Sequence, residues 1–302
     1  MKVGIVLPID QPEGAAAPPA YPQIRAVAQA AEAAGLDSLW VFDHLLFRFD
    51  GQTTGIHECW TILSAIAEAT RRVELGTIVL CTGFRNPTLL AKMAGTLDAV
   101  SDGRLILGVG AGWHDPEFEA FGFPTDHKVS RFEESLAVIT GLIRDGRVDL
   151  DGTYVQARDA VLVPPARPGI PILVAAKRPR MFELTARHAD AWNMAWFGLP
   201  DGRLATGRRE LAEACERVGR DPSTLTITVG LEVRYPDLGA GEAAVPGRAM
   251  EGGPEPIAEG LAAHAVLGAD HVIVALDPNT PAALARFLEA VAVYRGTAAL
   301  PG

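Results

Sequence analysis

Asp43 and His44 stand side by side at the end of the apolar run DSLWVFDH (37–44). An imidazole beside a carboxylate at a strand end can give or take a proton near neutrality, so the pair reads as a candidate acid/base site. A capping aspartate and a backbone-bonded histidine would leave the same two letters. A second candidate is the glycine cluster of GRLILGVGAGWHDPEFEAFG (103–122), which runs from a strand into Trp113 and His114. A third is the basic group Lys177, Arg178 and Arg180 around Pro179, where a helix begins. A helix start offers free N–H groups and a partial positive charge, so cations gathered there suggest an anion such as a phosphate.

The glycines raise the question of a dinucleotide fold. That fingerprint needs G-x-G-x-x-G leading from the first strand into a helix. Gly108 and Gly110 fit, but the third position is Trp113, and the run follows the fourth strand. Two readings remain. The glycines permit a tight strand-to-helix turn, or they bring bare backbone against a flat ligand. His57, Glu58 and Trp60 precede the next helix; HECW has no second histidine at metal spacing, so no metal is expected. Trp60 either lines the substrate side of a pocket or packs beneath a loop.

The elements that must position these groups alternate along the whole chain. Short apolar runs at 3–8, 37–44, 73–80, 104–109, 171–176, 190–196, 225–231 and 271–276 read as buried parallel strands. Amphipathic runs near 22–34, 59–70, 87–100, 131–144, 179–189, 201–219, 256–267 and 281–294 read as crossover helices. Eight such repeats give an α/β fold; periodicity alone does not separate a closed barrel from a doubly wound open sheet, but the count favours a (β/α)8 TIM-type barrel formed by residues 1–302 as one domain, with sites at the C-terminal strand ends. A hairpin around Asp151-Gly152 interrupts the series at about 148–169, and about 236–256 reads as an irregular loop.

Composition narrows the function classes. The chain has 302 residues, 48% hydrophobic and 21% charged, with a net charge of −10, which argues against a nucleic-acid partner. Three widely spaced cysteines suit a reducing, cytoplasmic setting. Neither a signal peptide nor a membrane span is expected.

Four segments in order, AEAAGLDSLWVFDH, ECWTILSAIAEATRRVELGTIVL, RNPTLLAKMAGTLDAVSDGRLILGVGAGWHDPEFEAFG and PILVAAKRPRMFELTARHADAWN, resemble the bacterial luciferase-like family and its flavin- and deazaflavin-dependent oxidoreductases. The resemblance is strongest over residues 1–195. It implies a barrel that binds coenzyme F420 or FMN at its C-terminal face, and an enzyme that transfers a hydride between F420 and a small organic substrate. The alternatives it leaves are a two-component FMN monooxygenase served by a separate reductase, and a non-catalytic flavin-binding protein.

The same resemblance implies roles for named positions. Asp43 and His44 would lie beside the cofactor ring, with His44 moving a proton. The bond Ile78–Val79 would form a bulge behind the ring, and Cys81 would line it. Gly110, Ala111 and Gly112 would follow the ribityl chain. Ala176, Lys177, Arg178 and Arg180 would meet the phosphate. Trp60, Trp113 and His114 would face the substrate. Trp113 occupies the place where sugar-phosphate dehydrogenases of the family carry a catalytic glutamate, which argues against that activity. A homodimer is also implied, with Ile62, Ile66, Leu89 and Met93 as candidates for its surface.

Overall fold

A computed structural model of the chain describes residues 1–241 and 247–298. Eight parallel strands form the barrel: β1 (Lys2–Val6), β2 (Ser38–Val41), β3 (Glu74–Thr77, resuming at Leu80–Cys81), β4 (Leu105–Gly110), β5 (Ile172–Ala175), β6 (Ala191–Phe197), β7 (Thr226–Arg234) and β8 (His271–Asp277). Each pairs with its sequence neighbours. β8 pairs with β1 and β4 with β5, so the sheet has no free edge. The expected TIM-type barrel is therefore what the chain forms.

Helices cover the outside: α1 (Tyr21–Ala33), α2 (Cys59–Ala69), α3 (Pro87–Val100), α4 (Asp115–Phe121), α5 (Lys128–Asp145), α6 (Pro179–His188), α7 (Gly202–Val218), α8 (Pro254–Val266) and α9 (Pro281–Ala298). Local chemistry sets several starts. Glu58 caps α2 by accepting from the Trp60 and Thr61 N–H groups, and Asn86 caps α3 by accepting from Thr88 and Leu89 ahead of Pro87. Helix α6 differs, because its N-cap residue Arg178 gives no side-chain cap.

Two apolar layers result. The larger lies between sheet and helices. The smaller fills the barrel axis with Val6, Trp40, Ile78, Ile106, Leu173, Ala191 and Ile273, and on it rest Phe42, Val79, Trp196 and Ala275. Those four residues also line a cavity at the C-terminal end of the strands. Ile62 and Ile66 belong to the larger layer and Met93 packs on it, whereas Leu89 is exposed. Of the four residues suggested for a dimer face, only Leu89 points outward.

The hairpin expected near 148–169 is formed by Arg147–Asp151 and Gln156–Val161, and Glu134 of α5 accepts from three N–H groups of its tip. Part of the irregular loop at 236–256 lies outside the described residues. Within the rest, Met250–Glu251 adds a short pairing to β7. A hairpin that the sequence reading did not anticipate, Leu46–Phe49 with Gln52–Gly55, follows β2. Its turn, Asp50-Gly51, has positive φ at both residues.

Candidate functional site

The C-terminal strand ends enclose a cavity of about 720 Å3. Its lining includes Asp43, His44, Ile78, Val79, Cys81, Gly110, Ala111, Gly112, Trp113, Lys177 and Arg178, eleven of the positions singled out in the sequence. Ala176, Arg180, Trp60 and His114 are not brought to it. Ala176 is buried behind β5, where its carbonyl accepts from the Trp192 indole. Strand alternation explains the difference, since Ala175 and Lys177 face the cavity on either side of it. Arg180 bonds Glu133 on α5; two residues past Arg178, it is rotated by about 200° around the helix. Trp60 belongs to the core layer under α2. His114 is buried and its Nε2 accepts from the Arg48 N–H at 3.1 Å, so it anchors the 46–55 hairpin.

Asp43 and His44, adjacent in sequence, do different work. Both follow the end of β2 at Val41, and their side chains find different partners. The Asp43 carboxylate is buried and both oxygens are engaged. Oδ2 accepts from the Cys81 N–H at 2.9 Å, and Oδ1 accepts from Arg85 Nη2 at 3.1 Å and from the Cys59 thiol at 3.3 Å. Arg85 Nη1 also donates to Oδ2, and Nη2 to Glu58 at 2.7 Å. The oxygens of Asp43 and Glu58 and the Cys59 sulfur cluster within 4.8 Å of one another, a spacing that suits a cation, and the Arg85 guanidinium fills that role. Burial and the neighbouring Asp43 charge push the Cys81 thiol up to about 12 and the Cys59 thiol well above its ordinary value. Neither is a ready nucleophile.

His44 faces the cavity. Its Nδ1 lies 2.8 Å from Oε1 of Glu117 on α4. Glu117 is almost wholly buried, and its other oxygen accepts from the Leu45 N–H at 2.8 Å. The carboxylate thus fixes the ring orientation and favours the proton on Nδ1, which leaves Nε2 as the exchangeable position. Asp10 and Glu232 line the same cavity, and burial raises the carboxyl pKa of each. Glu117, Arg85, Asp10 and Glu232 were missed in the sequence reading. The Asp115-Pro116 helix start placed Glu117 in a first turn, but its partner lies 73 residues away, a pairing visible only in the fold.

The β3 strand breaks at Ile78–Val79, whose peptide bond is cis, as is Ala195–Trp196 on β6. Both interruptions meet the cavity. The glycines of β4 answer the question they raised: they are pressed against this wall. A Cβ on Gly108 would lie 1.9 Å from the Thr77 carbonyl oxygen. Gly112 has φ +77°, and a Cβ there would meet the Cys81 sulfur and the Phe118 ring at 2.6 Å. The close approach is thus made by the chain to itself, while the backbone of Gly110–Gly112 still borders the cavity.

These residues fit a flat cofactor bearing a phosphate. The Ile78–Val79 wall offers an apolar surface, and the uncapped α6 start presents free N–H groups beside Arg178. Lys177 donates to the Ala195 carbonyl at 2.6 Å. Its pKa is lowered by burial and by the nearby charges of Arg203 and Arg248, so this end of the cavity is electropositive.

The family model for luciferase-like monooxygenases matches residues 1–245. Among curated proteins, the chain is 35% identical over 240 residues to a phthiodiolone/phenolphthiodiolone dimycocerosates ketoreductase of Mycobacterium sp. (strain JLS), covering 72% of this chain and 63% of that protein. It is 33% identical over 215 residues to an F420-dependent glucose-6-phosphate dehydrogenase of Amycolatopsis mediterranei (strain U-32), covering 68% and 62%. The chain therefore spans somewhat less than two thirds of these relatives. Among solved structures, an F420-dependent secondary alcohol dehydrogenase in complex with an F420-acetone adduct superposes with a TM-score of 0.78 at 19% identity, covering 97% of this chain and 99% of that one. At that identity the likeness is one of fold.

Proposed function

The chain belongs to the luciferase-like monooxygenase family, and from that premise we propose that it is an oxidoreductase that moves a hydride between coenzyme F420 and a carbon of a small organic substrate. The activities of the two relatives, a ketoreductase and an F420-dependent dehydrogenase, support the reading. The observation that carries it is the His44–Glu117 pair, an imidazole oriented by a buried carboxylate at the rim of a cavity suited to a flat cofactor.

Coenzyme F420, when bound, supplies two-electron hydride chemistry at a ring carbon and does not readily activate oxygen. The protein supplies the rest. Ile78 and Val79 would offer the ring an apolar wall. The α6 N–H groups and Arg178 would hold the phosphate. His44 Nε2 takes the hydroxyl proton as an alcohol becomes a ketone, or returns it in the reverse direction, while Glu117 stabilises the imidazolium formed. Asp43 is a positioning residue, because its oxygens are committed to Arg85 and to the Cys81 N–H.

Parallel absorbance titrations with F420 and with FMN test the assignment. Saturable F420 binding, weakened by Arg178→Glu, is the expected result. Tight FMN binding with none for F420 would reassign the protein to the flavin branch of the family.

A further inference from the structure

The cavity mouth carries information about the substrate, given the hydride-transfer reading above. The hairpin after β2 presents Phe47 and Phe49 on one face, two residues apart. Phe47 packs against His44 with ring centroids 4.5 Å apart and lies 5.9 Å from Phe49 at an interplanar angle of 28°. Phe49 in turn is nearly parallel to Trp113, at 6.4 Å and 24°. Trp113 stands edge-on to His44 at 5.5 Å. The outer two rings are open to solvent, Phe49 at 54% and Trp113 at 62% exposure. Single exposed apolar side chains are ordinary, but a contiguous aromatic set at a cavity mouth marks a surface that binds something.

We propose that this aromatic face receives an uncharged substrate with a large apolar body, aromatic or polycyclic, whose carbinol or carbonyl carbon is thereby held at His44. The charges around the cavity decide against an anion. Asp10, Asp43, Glu117 and Glu232 line it as acids. The cations among its described lining residues, Lys177 and Arg178, both sit at the α6 start. Lys177 is already bonded to a backbone carbonyl, and Arg178 is assigned to the cofactor phosphate. A phosphorylated sugar would need a second cationic site and an array of fixed polar partners for its hydroxyls. Phe47, Phe49 and Trp113 instead offer ring faces, which reward flat apolar groups.

Calorimetric titration of the full chain, with and without saturating F420, tests this with three probes: acetonaphthone, a carboxylate-bearing acetonaphthone, and glucose 6-phosphate. The neutral ketone is expected to bind most tightly. Trp113→Ala and Phe49→Ala are each expected to weaken it about 3- to 10-fold. Both side chains are exposed, so unchanged circular dichroism will confirm that the variants fold. Absence of ketone binding, ketone binding indifferent to both variants, or glucose 6-phosphate binding at least as tightly would overturn the proposal. Failure of F420 itself to bind would count against the hydride-transfer reading alone, since the coenzyme-free titrations still report on the aromatic face.

Discussion

The two ends of the barrel each hold a histidine on a polar partner, and the partners make them opposites. At the mouth, His44 meets the Glu117 carboxylate at 2.8 Å and keeps one edge toward the cavity. At the floor, His271 opens β8 with its Nε2 2.7 Å from the Ser38 hydroxyl, which also accepts from the Trp40 indole. Burial there pushes the His271 pKa down to about 4. Burial in a closed apolar layer with a hydroxyl partner keeps His271 neutral, whereas His44 has a carboxylate partner and an edge on the cavity. The same residue type serves chemistry at one end and packing at the other.

Breaking the mouth pair at its reactive member has the largest expected effect. His44→Ala should lower turnover about 10²- to 10⁴-fold, equivalent to about 3–5 kcal/mol, with F420 affinity nearly unchanged. Single-turnover absorbance changes of bound F420 measure it, and equal rates would remove His44 from the mechanism. Its sequence neighbour should behave in the opposite way. Asp43→Ala leaves the Arg85 guanidinium, whose side chain is only 11% exposed, with Glu58 as its remaining carboxylate, and should cost somewhat less in urea unfolding than the about 3–5 kcal/mol of a wholly unpaired buried charge. The double replacement Asp43→Leu with Arg85→Met should recover part of that loss, which a purely catalytic Asp43 would not do.

The floor histidine predicts a pH dependence. The unfolded chain binds a proton at His271 near its ordinary value of 6.5, and the folded chain only near 4. Below 6.5 the unfolded state therefore holds more protons, and stability falls as pH drops from about 6.5 toward 4, by up to about 3 kcal/mol. Unfolding at stepped pH in wild type and His271→Gln checks this; parallel pH profiles would exclude His271 as the source. Glu117→Gln should have the smallest effect of the four. It should lower turnover about 10- to 100-fold, the kinetic equivalent of the about 1.5–3 kcal/mol of a hydrogen bond to a charged group. The pH–rate profile should shift with it, and a fall in turnover at unchanged pH profile would make Glu117 merely structural.

Much of this was legible in the chain. Buried parallel strands read as apolar runs, and their helices announce themselves with Asn86-Pro87 or a stop at Gly35, so eight repeats favour a barrel over an open sheet, and the pairing of β8 with β1 closes it. Residues at strand ends were legible for the same reason, because a barrel gathers its strand ends at one face. What failed was direction and long-range pairing. Ala176 was expected at the phosphate, but alternation points it away from the cavity. Arg180 was placed with Arg178, though the helical turn separates them. Glu117 and Arg85 were missed because their partners, His44 and Asp43, lie 73 and 42 residues off. The hairpin at 46–55 did carry a signal, Asp50-Gly51 between alternating residues, the composition that positive φ in a two-residue turn demands.

That hairpin forms its own two-stranded sheet, separate from the barrel ladder. Its ties to the remainder include the Asp10–Ile56 bridge and the Arg48 N–H to His114 bond. Residues 46–55 can therefore be rewritten without breaking any strand pairing that closes the barrel. Phe47 and Phe49 travel together on that segment, so one short stretch of gene encodes two of the three rings of the aromatic mouth. Grafting the corresponding stretch from a relative amounts to changing a tool head while the machine that holds it stays the same.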